Sequence, residues 1–463
     1  MGKLRFFAAT VFGKAAEFLL RLLTGRGSNT PGIIALKICP DFLRRIKMPP
    51  LTICVTGTNG KTSSSNLITT ILRESGKKVI NNSKGSNMAP GLVSALLQNC
   101  SLCGKTKAEV AVLETDERSS QYIYPYFTPS IILCTNLFRD SIVRNGHSEF
   151  IFDKINDYLP DGTTLVLNGD DMISGMLGEG REKIKRVFFS VGKTEQSYTE
   201  PRNEVKDITV CPKCSRPLKY EYYHYHHIGK AECVSCGFRM PEAEYFAKEV
   251  DFAQSKFIFS DGEKEIELPF AAGSLFNVFN STAVAAVCRQ AGVSMETIAQ
   301  SIQDVSSKTG RFGKYTVGKT SVSTLLFKDQ NPISGSQSLR YLDRIEGKKD
   351  VVLMVTDPKI MKGSEDISWL FDTDFSALSS PDINKIYIGG ARCADVALRI
   401  SLAGADSEKI NLFRDYEKLG DAVAKEKDAA PSLAIFFSLY SAPLAKRLEE
   451  KIKLERKDGD FDE

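Results

Sequence analysis

From position 51 onward, short apolar runs alternate with stretches whose apolar residues recur at helical spacing. LTICVTG (51–57) reads as a buried strand, and TSSSNLITTILRESG (62–76) as a helix closed by Gly76. EVAVLE (109–114), SIILCTN (130–136) and TTLVLN (163–168) are further apolar runs ending in polar residues. Runs of this kind, each followed by a loop and a helix, predict an α/β fold with a mostly parallel sheet covered on both faces. Such sheets bind ligands at the carboxyl ends of their strands, where these polar residues fall. FNVFNSTAVAAVCRQAG (276–292) adds a helix with Asn277 and Asn280 near its start. Beyond Gly310–Arg311 the rhythm restarts. VVLMVTD (351–357), KIYIGG (385–390), KINLF (409–413) and SLAIFFS (432–438) predict a second, smaller Rossmann-like domain.

The expected organisation is an N-terminal helical segment at 1–50, a central domain at 51–310 interrupted around 205–245, a C-terminal domain at 311–450, and a disordered charged tail at 451–463. In the first 25 residues, helical spacing gathers Phe7, Val11, Ala15, Phe18 and Leu22 on one face, with Lys3, Lys14 and Arg21 elsewhere. Lys14, Glu17 and Arg21 break the apolar core that a signal peptide requires, and no stretch is long enough to span a bilayer. Two readings remain: the apolar face packs on the protein's own body, or a basic amphipathic helix makes peripheral membrane contact.

Composition narrows the class. The 463 residues suffice for two or three domains, and a net charge of +4 is too small to argue for nucleic acid. Eleven cysteines, several inside apolar runs (Cys54, Cys134, Cys288), indicate reduced thiols in a cytoplasmic protein and not a disulfide framework.

The strongest chemical signal is Gly57-Thr58-Asn59-Gly60-Lys61-Thr62, between a strand and a helix. Backbone N–H groups of such a turn cradle phosphate oxygens, a lysine neutralises the terminal phosphates, and a hydroxyl can reach Mg²⁺. Val55 stands where the common P-loop has a glycine, so this is a shorter form of the motif. The loop reads as surface-exposed, so that Lys61→Ala would remove charge without disturbing packing. Glu114, closing its strand before Thr115-Asp116-Glu117, is a candidate Mg²⁺ ligand, and Asn168, Asp170 and Asp171 make a weaker claim of the same kind. Cys211-x2-Cys214 and Cys233-x2-Cys236 have the spacing of a zinc ribbon, four thiolates closing a structural Zn²⁺ site. His224, His226 and His227, between the knuckles, read as exposed residues of a hairpin. The only other histidine is His147, which leaves almost no material for a Cys-His nucleophilic pair.

The hexapeptide, Glu114, Thr135-Asn136, the NGDD segment, and Gly273, Asn277 and Asn280 ahead of a small-residue helix together resemble the Mur ligase family. Gly310-Arg311 resembles that family's entry into its C-terminal domain. The resemblance covers roughly residues 30–445 and implies an ATP-dependent carbon–nitrogen ligase that activates a carboxylate as an acyl phosphate. Only about 50 residues precede the P-loop, too few for a nucleotide-sugar domain. The ribbon, TNLFRD and Asp366-Ile367-Ser368-Trp369 resemble the branch that amidates the D-glutamate α-carboxylate of lipid II in peptidoglycan biosynthesis, with ammonia from a GatD-like glutaminase subunit. Carried over by position, Lys61 and Thr62 serve the phosphates and Mg²⁺, Glu114 the metal, Asn277 the adenine and Arg311 the nucleotide. Asp366, with Asp372 second, is the candidate to complete the partner's Cys-His pair, against a helix N-cap role. Ser141 departs from the family, standing where many Mur ligases have a metal-binding histidine. The alternatives are a folylpolyglutamate-synthase-like amino-acid ligase and a nucleotide-binding paralogue without catalysis.

Overall fold

The structure, a computed structural model, describes residues 2–24, 29–83, 85–139, 147–202, 206–270, 274–308, 313–328, 331–354 and 367–455. Ser141, Gly273, Gly310, Arg311, Asp366 and the residues after 455 lie outside this set. The chain divides into two units. One comprises Met1–Phe138, His147–Pro201 and Asp207–Thr309, and the other Arg139–Gly146, Arg202–Lys206 and Gly310–Glu463.

The strands of the first unit are β1 Leu51–Thr56, β2 Val79–Asn81, β3 Val110–Glu114, β4 Ile131–Cys134, β5 Thr164–Asn168, β6 Lys185–Val191, β7 Lys219–Tyr225, β8 Ile228–Glu232, β9 Tyr245–Asp251, β10 Lys256–Ser260 and β11 Glu265–Pro269. Nine of these form a sheet in the order β11-β10-β9-β6-β5-β4-β1-β3-β2. From β2 through β9 all pairings are parallel, and β1, fully interior, pairs with β3 on one side and β4 on the other. This is the expected mostly parallel sheet, and its apolar strands are buried because helices cover them. Helix Lys61–Glu74 buries Ile68, Ile71 and Leu72, and helix Leu275–Gln290 buries Val278, Val284 and Val287.

The antiparallel edge β9-β10-β11 went unread in the sequence. Its signal was there: the β-branched and aromatic run Phe257-Ile258-Phe259 precedes Asp261-Gly262, Ile266 and Leu268 alternate with Glu265 and Glu267 after it, and Gly262 adopts φ +87°. The ribbon hairpin β7-β8 stands apart as its own two-stranded sheet.

Helix Gly2–Thr24 does pack on the body, but through a different face from the one expected. Phe6, Ala9 and Thr10 are buried, with Phe6 lying 4.8 Å from the Phe42 ring. Phe7, Phe18 and Leu22 are exposed instead. The small residues Ala9 and Gly13 allow close approach on the inner side, so bulk alone misidentified the packed face.

The second unit contains β12 Gly313–Val317, β13 Thr320–Leu326, β14 Lys349–Met354, β15 Ile383–Gly389, β16 Ile410–Phe413 and β17 Ser432–Phe437, in the order β12-β13-β17-β14-β15-β16. Only β12 is antiparallel. Apolar clusters lie on both faces, Leu353, Trp369 and Phe436 on one and Val352, Leu419 and Leu448 on the other. The last helix, Ala442–Glu455, buries Ile452, so the ordered body extends into the segment read as a tail.

Candidate active site at the carboxyl edge of the central sheet

The loop after β1 turns through two left-handed glycines, Gly57 (φ +121°) and Gly60 (φ +86°). Side chains are excluded at both: a Cβ on Gly57 would run into Thr135, and one on Gly60 into the Asn280 amide. Helix Lys61–Glu74 begins directly after Gly60, an N-cap residue with no side chain of its own to occupy the helix's first N–H groups. Its first N–H groups and the loop's backbone can therefore face an anion. Thr62, in that first turn, is exposed.

A second loop clamps the first. Thr135 Oγ1 donates to the Asn59 carbonyl at 2.6 Å, and Asn59 N donates to Asn136 Oδ1 at 3.0 Å. Thr58 N donates to the Asn136 carbonyl at 2.8 Å, and Phe138 N to Thr58 Oγ1 at 2.9 Å. The Thr135-Asn136 element thus fixes the glycine loop's shape.

Lys61 is less exposed than the sequence suggested. Its ammonium donates to the Gly57 carbonyl and pairs with Glu117 Oε1 at 2.8 Å, the two side chains being 13% and 3% exposed. Glu117 went unselected because a 3₁₀ turn, Glu117–Ser119, brings it across from the end of β3. Glu114 lies beside Val55 in the sheet register, just ahead of the loop, and accepts from Asn87 Nδ2 at 3.3 Å. Its N–H donates to Asn82 Oδ1 at 2.8 Å. Half-buried and adjacent to the loop, Glu114 keeps the candidacy that Asn168, Asp170 and Asp171 lose.

Those three are turned into the fold. Asp170 accepts from Ser190 Oγ and Val191 N, both at 2.7 Å, and burial pushes its carboxyl up to about 7. Asp171 caps a short helix through Ile173 N (2.9 Å), receives Leu137 N (2.8 Å), and lies 3.1 Å from His227 Nε2. Asn168 Nδ2 donates to the Thr135 carbonyl at 3.3 Å. All three are essentially unexposed: Asn168 and Asp171 brace the Thr135–Phe138 segment and Asp170 braces the end of β6, so none is open to an ion beside the glycine loop.

The hairpin histidines correct the reading in the same direction. His224 and His227 are buried, and His226 sits at the turn with φ +48°. His224 bonds Val191 O (2.9 Å) and Ser197 Oγ (3.0 Å), and burial holds its imidazole down to about 4. Tyr225 packs edge-on against Phe276 (4.5 Å between ring centres), next to Asn277, and lies 5.9 Å from Phe138. The hairpin therefore rests on the phosphate-loop clamp and on the helix bearing Asn277 and Asn280.

At the hairpin's far end the four ribbon cysteines converge, their sulfurs all within 4.8 Å of one another. Cys211–Cys236 and Cys214–Cys233 separations are 3.6 and 3.5 Å. A tetrahedron with Zn–S bonds of about 2.3 Å has edges of roughly 3.8 Å, so the set fits one Zn²⁺. Each knuckle turns through a left-handed residue, Ser215 (φ 56°) and Gly237 (φ 73°).

In the second unit, Asp372 ends the short helix Trp369–Asp372 and lies 3.5 Å from Arg139 Nη1. Arg399 donates to the carbonyls of Leu370, Phe371 and Thr373, fixing that helix end. Asp366 and Arg311 fall outside the described residues.

Residues 55–215 match the family model described as Mur ligase middle domain, and residues 329–442 the one described as MurT ligase C-terminal. A pseudomurein peptide ligase type C from Methanothermus fervidus has the same fold, with TM-score 0.66, 19% identity, and 90% of this chain and 81% of that one covered. The MurF ligase from Thermotoga maritima, solved in complex with ADP, aligns with TM-score 0.57 at 16% identity over 92% and 85%. The fold and the two family models together mark the chain as a ligase of the Mur type. A lipid II isoglutaminyl synthase (glutamine-hydrolyzing) subunit MurT of Staphylococcus aureus is 31% identical, covering 92% of this chain and 93% of that one. Its Streptococcus pneumoniae counterpart is 30% identical over 88% and 89%. The chain belongs to the MurT family of Mur ligases.

Proposed function

We propose that this chain is the ligase subunit of a lipid II isoglutaminyl synthase, converting the D-glutamate α-carboxylate of the lipid II stem peptide to the carboxamide of D-isoglutamine. The observation that carries the reading is the clamped glycine loop with Lys61 at its helix N-terminus, within a chain that resembles MurT along almost its whole length. The solved relative in complex with ADP supports an adenine nucleotide as the ligand.

The chemistry runs in two steps. A substrate carboxylate oxygen attacks the γ-phosphorus of ATP, and ADP leaves. Ammonia then attacks the acyl carbon, loses a proton, and expels phosphate carrying that oxygen. Loop N–H groups and Lys61 hold the phosphates and offset charge as it develops. Thr62 and Glu114 would hold Mg²⁺, which supplies charge neutralisation at the phosphates. Asn280 meets the loop at Gly60 from the neighbouring helix; by their place in the family's motifs, Asn277 is assigned to adenine and Arg311 to the nucleotide. Cys211, Cys214, Cys233 and Cys236 would hold Zn²⁺ in a structural role.

Ammonia is assigned to a GatD-like glutaminase partner. His224 and His227, the buried imidazoles, are committed to the hairpin and cannot activate a cysteine thiol. Asp366 remains the residue proposed to complete the partner's Cys-His pair. Asp372 is the weaker candidate, since Arg139 already faces its carboxylate. Heavy-oxygen label in the substrate carboxylate should appear in inorganic phosphate during turnover. Label retained wholly in the peptide would exclude the acyl phosphate.

A further inference from the structure

The outer face of helix Gly2–Thr24 is an apolar strip on the protein surface. At about 100° per residue, Leu4, Phe7, Phe18 and Leu22 fall in one line, with Phe12 and Leu19 alongside. They are exposed by 76, 46, 65, 69, 59 and 57%, while Phe6, Ala9 and Thr10 on the opposite side are buried. The helix is thus held to the body by one face and leaves a longer, more apolar one in water. Scattered exposed leucines need no explanation, but a contiguous strip along a 23-residue helix does.

Charge selects the occupant. Lys3 and Arg21 border the strip on one side and Arg5 on the other. The helix's single acidic residue, Glu17, is 14% exposed and paired with Arg21 at 3.6 Å. With Lys14 the helix carries four basic residues against one acidic, net +3 (4 − 1). Two such strips facing each other would bring like charges together. An anionic bilayer offers acyl chains to the strip and headgroup phosphates to its borders. No helix among the described residues is long and apolar enough to cross a membrane, so the contact is one of lying in the interface.

We infer that this helix seats the protein on the surface of an anionic lipid bilayer, its outer face entering about 5–10 Å into the headgroup–acyl boundary. The inference uses only the N-terminal helix and stands apart from the proposed reaction.

The test is co-sedimentation of the full chain with vesicles of phosphatidylglycerol and phosphatidylcholine, beside vesicles of phosphatidylcholine alone, with no peptidoglycan precursor present. Binding to the anionic vesicles should weaken with salt. Phe18→Glu with Leu22→Glu, both exposed positions, should lower partitioning by about tenfold or more, and Arg5→Gln with Arg21→Gln by a smaller factor. Circular dichroism and ATP affinity should be unchanged in both variants. Wild-type protein remaining in the supernatant overturns the inference, as does undiminished binding by the Phe18/Leu22 variant. Sedimentation velocity covers the other occupants. A wild-type dimer, or a complex with the glutaminase, that the same variant dissociates while neither form binds vesicles would assign the face to protein.

Discussion

Lys61 illustrates what a motif conveys and what it omits. Its position after a glycine turn and at a helix start was legible, because the backbone geometry of that turn is local. Its partner Glu117 was not legible: the pairing depends on a 3₁₀ turn across the sheet, and nothing in the spacing announces it. The pair changes what a substitution should do. Lys61→Ala leaves a carboxylate that is 3% exposed without its cation, which should cost roughly 1–3 kcal/mol of stability. Adding Glu117→Gln should recover much of that loss, while ATP binding stays abolished. Urea denaturation of the single and double variants decides it. A single variant as stable as wild type would show the pair to be incidental. Asp170 and Asp171 teach the converse, since carboxylates at a strand end resemble metal ligands in sequence and prove to be braces once their N–H partners are seen.

Among the elements, strands ending in polar residues were legible because burial on both faces forces continuous apolar runs. The four ribbon cysteines were legible as a cluster with metal-ligand spacing, but the packing of their hairpin against the glycine-loop clamp was not. Tyr225 and His227 reach the phosphate-loop clamp from a hairpin whose register the four cysteines help set. Cys214→Ser should therefore lower zinc content and stability together, because metal binding is coupled to local folding. It should also raise the KM for ATP. Metal analysis of protein purified under reducing conditions, with a thermal melt, checks this, and a zinc-free wild-type protein of normal stability would contradict it. The hairpin also sets a pH dependence. Folding holds His224 at about 4, below the ordinary 6.5, so across this interval the unfolded chain binds a proton that the folded one refuses. Stability from this group is full above 6.5 and falls as the pH drops toward 4, by up to about 3 kcal/mol. Buried Asp170, raised to about 7, contributes in the opposite sense over the same interval, so the reading is the difference between proteins. The stability gap between wild type and His224→Asn should shift in the wild type's favour as the pH rises from 4 to 6.5, and a gap constant across that interval would rule His224 out.

At the scale of the whole molecule, the order of motifs along the chain carried the family, since phosphate loop, strand-end carboxylate, Thr-Asn element and asparagine helix must arrive in the order the sheet is built. The face of the N-terminal helix was not legible, because both faces are apolar and only the size of Ala9 and Gly13 selects the inner one. The division of labour is the central claim: activation and amination in this chain, glutamine hydrolysis in another. It is tested most directly by giving the purified chain lipid II, ATP and Mg²⁺ with either ammonium chloride or glutamine, and following the stem peptide by mass spectrometry. Ammonium alone should yield the carboxamide, with ADP formed in step, and glutamine should yield it only when the glutaminase partner is added. Carboxamide from glutamine without the partner, or no ATP-dependent product from ammonium at any concentration, would contradict the account.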